Sequence, residues 1–283
     1  MRPRPLSALA LALGLGGCSA TGVLAGLTPG PHARGAAAYA EGPRHGLDVY
    51  QPTKSGGLRP VVVFFYGGGW DQGDRRQYRF VGKALAAKGY VVVIPDYRIY
   101  PEALYPAFLQ DSALAVRWAR DHARDYGGDS ARLFLMGHSA GAYNAAMLTY
   151  DSRWLAEVGL DPRRDVRGFV GLAGPYDFLP LQSARLKTIF GPEDRRPATQ
   201  PINHVDGDEP PALLMHGLDD KVVEPGNAQR LAARVGAKGG RAEVVTFNHL
   251  SHALIVGALS APLRLLAPVM GRTTSFIDGE AAR

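Results

Sequence analysis

The stretch Arg132-Leu133-Phe134-Leu135-Met136-Gly137-His138-Ser139-Ala140-Gly141 decides how the rest of the chain is read. Four apolar residues, Leu133 to Met136, end in Gly-His-Ser-Ala-Gly, and the small residues after Ser139 run into Ala145, Ala146, Met147 and Leu148. That order spells strand, sharp turn, helix. A serine at the tip of such a turn sits in a strained backbone conformation that projects its hydroxyl from the sheet, and flanking glycines leave the neighbouring chain room to pass. The spacing G-x-S-x-G therefore proposes Ser139 as a nucleophile.

Working outward, apolar strand runs and helix-like stretches alternate along the whole chain. Upstream, Pro60-Val61-Val62-Val63-Phe64-Phe65-Tyr66 is apolar at every position, as expected of a parallel strand buried on both faces. It ends in Gly67-Gly68-Gly69-Trp70. A helix is expected over 78–88, a buried strand over 90–95 and a long amphipathic helix over 106–126. Downstream come strands over 166–172, 211–215 and 242–247, with helices over 224–235 and 252–266, and 46–50 is a candidate first edge strand. This alternation calls for an α/β fold, a mostly parallel central sheet with helices on both faces. Residues 174–209 break the rhythm with five prolines; they are expected to form either a partial lid or substrate wall at the carboxyl edge of the sheet, or a loose connection.

With 283 residues and 46% hydrophobic content the chain can bury a full core. The formal charge of +6 is spread among nearly as many acids, with no basic run of five or six, so no nucleic-acid partner is expected. The first residues read as a targeting device: Arg2 and Arg4, an apolar core from Leu6 to Leu15, then Leu15-Gly16-Gly17-Cys18. Cys18 is the only cysteine, so no intrachain disulfide can form. The stretch resembles a bacterial lipoprotein signal in which the chain is cut before the cysteine and the cysteine is lipidated. That resemblance implies a signal peptide over 1–17 and a lipid anchor at Cys18; residues 19–40, rich in Ala, Gly, Thr and Pro, read as a flexible tether, so that anchor and tether span 18–40 and the domain 41–283. It also implies an exported protein tethered to a membrane, with Ser19 after Cys18 pointing to the outer membrane facing the periplasm.

A serine hydroxyl needs a base, the base needs an orienting carboxylate, and the developing oxyanion needs aimed N–H donors. Gly67-Gly68-Gly69 and the amide of Ala140 are candidate donors. Asp219 and Asp220, just past a buried strand, are candidate acids, and two adjacent carboxylates cannot both face one site. His249 and His252 follow in the required order; His252 opens an apolar helix and is preferred, with His249 in reserve. No cysteine cluster, H-E-x-x-H or G-x-G-x-x-G behind the first strand points to a metal or organic cofactor, so none is expected.

With these motifs in order, the chain resembles α/β-hydrolase carboxylesterases of the hormone-sensitive-lipase-like and feruloyl/acetyl-xylan-esterase-like groups. The resemblance runs from about Tyr50 to the last helix. It is carried by Gly67-Gly68-Gly69-Trp70, Asp96-Tyr97-Arg98-Ile99-Tyr100-Pro101-Glu102, Tyr126-Gly127-Gly128-Asp129, Gly137-His138-Ser139-Ala140-Gly141 and His216-Gly217-Leu218-Asp219-Asp220. It implies Ser139 as nucleophile, Asp220 as acid, His252 as base, and Gly68, Gly69 and Ala140 as the oxyanion hole. Tyr66 departs from the pattern, standing where these esterases usually carry histidine; it is either a hydroxyl donor supporting the oxyanion hole or a packed residue steadying the loop. His138 and the segment Asp96-Tyr97-Arg98 with Glu102 are expected to be structural, and Trp70 and Trp118 to belong to the core. The implied substrate is a small ester with a short acyl or an aryl group. A prolyl-oligopeptidase-like peptidase or amidase is a weaker reading, because no room remains for a large added domain; a non-catalytic binding protein on the same fold is the other alternative.

Overall fold

The computed structural model describes residues 20–34, 36–53 and 56–283; Cys18 and the expected signal peptide lie outside these residues. In chain order the elements are α1 (Ala20–Leu27), β1 (Ala36–Ala38), β2 (Gly46–Tyr50), β3 (Arg59–Phe65), α2 (Arg79–Ala86), β4 (Val91–Pro95), α3 (Ala107–Asp121), β5 (Gly128–His138), α4 (Ala140–Tyr150), α5 (Arg153–Ala156) and α6 (Pro162–Asp165). They continue with β6 (Gly168–Leu172), α7 (Ala184–Phe190), β7 (Ala212–Gly217), α8 (Gly226–Ala237), β8 (Ala242–Phe247), α9 (His252–Gly257) and α10 (Val269–Ala281). The eight strands form one sheet in the order β1-β2-β4-β3-β5-β6-β7-β8. Only the β1/β2 and β2/β4 pairs are antiparallel. From β4 to β8 every neighbour is parallel.

Why these strands sit in the middle follows from their residues. β4, β6 and β7 are buried at every position, and successive side chains on a strand point to opposite faces. Full burial therefore requires helices over both faces, which is what an unbroken Val/Ile/Leu/Phe run is suited to. Val61, Val62, Val63, Phe64 and Phe65 of β3 are all completely buried; each contributes roughly 1.5–3 kcal/mol by leaving water.

Three expectations give way. Residues 18–40 are not a flexible tether over their described part. α1 packs on α2, where the buried Lys83 ammonium donates to Ala25 O at 2.7 Å and so occupies the carbonyl end of the helix. The small residues Ala36–Ala38 then pair with Gly46–Asp48 as the sheet's outermost strand. Composition rich in Ala, Gly and Thr suggested a loose chain, but small side chains also permit close docking. The helix expected over 252–266 stops at Gly257, Pro262 bars a helix from running on through the segment that follows, and α10 begins only at Val269. The long helix over 106–126 ends at Asp121, followed by a short 3-10 turn over Ala123–Tyr126.

Candidate active site

The sheet delivers four loops to one edge. β3 ends at Phe65, which lies in register with Gly137 of β5; two strands further on, Gly217 of β7 pairs with Phe247 of β8. The glycine loop, the serine turn, the acid loop and the histidine loop thus all leave the carboxyl ends of parallel strands.

Ser139 has φ 55° and ψ −124°, outside the helix that begins at Ala140, and its N–H donates to Leu172 O at 2.9 Å. Close approach dictates the glycines beside it. A Cβ on Gly137 would stand 2.3 Å from Gly141 O, and one on Gly141 would stand 2.1 Å from Phe65 O. No side chain fits at either place.

His252 Nε2 lies 2.8 Å from Ser139 Oγ, and His252 Nδ1 lies 2.7 Å from Asp220 Oδ2. The carboxylate at Nδ1 fixes the tautomer: Nδ1–H donates to Asp220, which leaves the Nε2 lone pair to accept from the serine hydroxyl. Asp220 is buried. Burial alone would raise its carboxyl, but hydrogen bonds from His216, His252 and the amides of Val223 and Val222 outweigh it and hold the group far below the usual carboxylate range. Its Oδ1 accepts from Val222 N–H at 2.8 Å and Val223 N–H at 2.9 Å. The acid and histidine loops are laced together by Leu218 N–H to Phe247 O (2.9 Å) and Asp219 N–H to Leu250 O (3.2 Å).

The reserve candidates stand apart. His249 is 93% exposed in its side chain and lies 3.7 Å from Asp219, itself 58% exposed. Neither reaches Ser139.

Gly69, Ser139 and Ala140 line one end of a cleft of about 580 Å³. The N–H groups of Gly68, Gly69 and Ala140 have no acceptor among the described residues. The loop that holds them is a tight turn in which Gly68 O accepts from Asp71 N–H at 3.2 Å and Gln72 N–H at 3.0 Å. Gly68 takes φ 145°, and a Cβ there would lie 2.0 Å from Gln72 O, so only glycine can occupy the position.

Tyr66 does not support the oxyanion hole. Its side chain is fully buried between Tyr97 (ring centroids 4.7 Å) and Tyr78 (5.8 Å), and its hydroxyl accepts from Arg44 Nη2 at 2.9 Å. Burial pushes that hydroxyl well above the usual phenol range. Tyr97 Oη donates in turn to Tyr66 O at 2.7 Å, and Arg44 also donates to Gly73 O at 2.7 Å. The residue is a brace under the glycine loop. Asp96 and Arg98 extend the bracing through Arg75 and Asp111 respectively.

His138 steadies the base. Burial pushes its imidazole down to about 3, so the ring is neutral; Nε2–H donates to His252 O at 2.9 Å, and Tyr78 Oη approaches Nδ1 at 3.4 Å. Sequence reasoning missed His216, whose Nε2 lies 3.1 Å from Asp220 Oδ2 and 3.0 Å from Val223 O. Its place four residues before the acid was the available signal. Trp70, expected in the core, is buried but also lines the cleft, where it stacks on Phe178 at 6.2 Å. Pro175, residues 177–183, Arg185 and Leu186 also line it, so the excursion over 174–209 bounds the cleft.

A family model described as BD-FAE matches residues 47–235. The chain belongs to the BD-FAE family. Among curated relatives of this BD-FAE member, a probable isoprenylcysteine alpha-carbonyl methylesterase of Arabidopsis thaliana is 28% identical over 244 residues, covering 78% of this chain and 51% of the relative. Esterase LipC of Mycobacterium tuberculosis is 31% identical over 221 residues, covering 70% of this chain and 54% of its own. The chain spans about half the length of these relatives. Among solved structures, a truncated form of a carbohydrate esterase from gut microbiota superposes with a TM-score of 0.77 at 21% identity, covering 90% of this chain and all of that one, a likeness of fold. Thermogutta terrifontis esterase 2 phosphonylated by sarin superposes with a TM-score of 0.69 at 26% identity, covering 80% and 87% of the two chains. The BD-FAE member has an α/β-hydrolase fold.

Proposed function

We propose that the protein is a serine carboxylesterase that cleaves short-chain acyl or aryl esters through an acyl-enzyme. The observation that carries this reading is the unbroken relay from Ser139 Oγ through His252 to Asp220, set beside amides that have no acceptor of their own. In the first step Ser139 Oγ attacks the ester carbonyl carbon and its proton passes to His252 Nε2. The carbonyl oxygen becomes an oxyanion and accepts from the Gly68, Gly69 and Ala140 amides. Asp220 holds the imidazolium that forms. His252 then gives its proton to the leaving alcohol, and water, deprotonated by the same imidazole, releases the acid. The esterase descriptions of the similar proteins support ester rather than amide substrates. A fluorophosphonate probe, which mimics the tetrahedral intermediate, is expected to label the protein at Ser139 by peptide mass spectrometry and to abolish turnover of aryl acetates and butyrates; absence of labelling would overturn the reading.

We also propose that Cys18 is lipidated after removal of residues 1–17, which tethers the exported enzyme to the outer membrane on its periplasmic side. The Leu15-Gly16-Gly17-Cys18 sequence supports this. Cells fed a clickable palmitate are expected to label the full chain and not its Cys18→Ser variant, and an unlabelled wild-type chain would refute the anchor.

A further inference from the structure

A carboxylate next to a developing oxyanion opposes catalysis unless its charge is cancelled. Asp71 is a carboxylate beside Gly69. It lies two residues beyond Gly69 in the tight turn closed by its own N–H to Gly68 O. Its Oδ1 is buried without a hydrogen-bond partner, and a Cβ built on Gly69 would lie only 3.3 Å from that oxygen. Its Oδ2 is ion-paired with Arg185 Nη1, and Arg185 Nη2 stands 3.9 Å from the same point over Gly69. Carboxylate and guanidinium therefore flank Gly69, which lines the cleft together with Ser139.

Arg185 comes from elsewhere in the chain. It sits in the first turn of α7, inside the excursion that walls the cleft, and its side chain is 51% exposed. We infer that Arg185 is a positioning residue for the oxyanion site, neutralising Asp71 beside Gly69 and thereby coupling the cleft wall to ester hydrolysis. This deepens the esterase reading and rests on it. Without the guanidinium, the unpaired carboxylate stands beside the place where negative charge develops in the transition state but not in the bound ester. The loss therefore falls on kcat. A plain tether between α7 and the turn would act differently, loosening the cleft whichever partner was removed.

The test is a double-mutant cycle in the full chain, with kcat and KM measured on an aryl acetate. Arg185→Gln is expected to lower kcat about 10- to 100-fold with KM changed less than about threefold, a smaller loss than the roughly 10²- to 10³-fold that follows removal of a direct oxyanion donor. The double variant is expected to match Asp71→Asn alone within about threefold and to be clearly faster than Arg185→Gln, so that removing the carboxylate rescues the loss of the arginine. Arg185→Lys, which keeps the charge, is expected to retain most of kcat and guards against a misfolded Arg185→Gln. An unchanged kcat in Arg185→Gln, or a double variant as slow as Arg185→Gln, would overturn the inference while leaving the esterase reading intact. Failure of that reading shows instead as a wild-type chain without Ser139-dependent turnover, which removes both.

Discussion

Ser139→Ala is expected to lower kcat for a short-chain aryl ester by about a million-fold while leaving the fold and its thermal stability unchanged. The substitution keeps Cβ, so the φ 55° turn is no more strained by alanine than by serine, and the neighbouring Gly67, whose own added Cβ would come 2.9 Å from Ser139 Cβ, meets the same surface. Only Oγ is lost. With it goes the atom that forms the acyl bond and the donor to His252 Nε2. The residual rate should be that of water activated beside the oxyanion amides, about 10³- to 10⁴-fold above the uncatalysed reaction. Turnover by the variant within a factor of about ten of wild type would mean that another residue forms the covalent bond.

Asp220→Asn is expected to lower kcat by about 10⁴-fold, with KM little changed. The structure dictates how the asparagine must sit. Oδ1 of Asp220 accepts two amides, from Val222 and Val223, so the side-chain oxygen of asparagine has to take that place. Its NH₂ then occupies the Oδ2 position, facing both His252 Nδ1 and His216 Nε2. A donor at Nδ1 drives the imidazole into the Nε2–H tautomer, which presents a proton to Ser139 instead of a lone pair. The second contact adds to the harm, because His216 donates from Nε2 to Val223 O and would meet a donor with a donor. Kinetics across pH in parallel with urea unfolding separate the two effects. If instead the variant keeps more than about a tenth of the wild-type kcat, Asp220 is not the group that orients the base.

Much of this was legible in the letters. Unbroken apolar runs such as Val61 to Phe65 identify parallel strands, and the chain order of Ser139, Asp220 and His252 follows from the order in which β5, β7 and β8 reach the sheet edge. Choosing between near neighbours was harder. Asp219 and Asp220 differ by one position in a turn, and which carboxylate turns inward depends on amides supplied by Val222 and Val223. Tyr66 left two readings open because its hydroxyl could only be placed once Arg44, 22 residues earlier, was seen to hold it. Arg185 carried no signal at all: its partner lies 114 residues upstream in Asp71, and no local spacing encodes such a pair. The N-terminal residues misled because small side chains are compatible with both a slack chain and a tightly docked one.

Arg44 has a wider consequence for how much of the chain the glycine loop needs. It adopts φ 60°, donates to Tyr97 O at 3.0 Å, and reaches beneath Tyr66 and Gly73, the two ends of the glycine loop. The family model matches from three residues later, at 47. A chain begun at residue 47 would lack the pin on which the glycine loop is hung, while keeping Ser139, Asp220 and His252 on an unsupported frame.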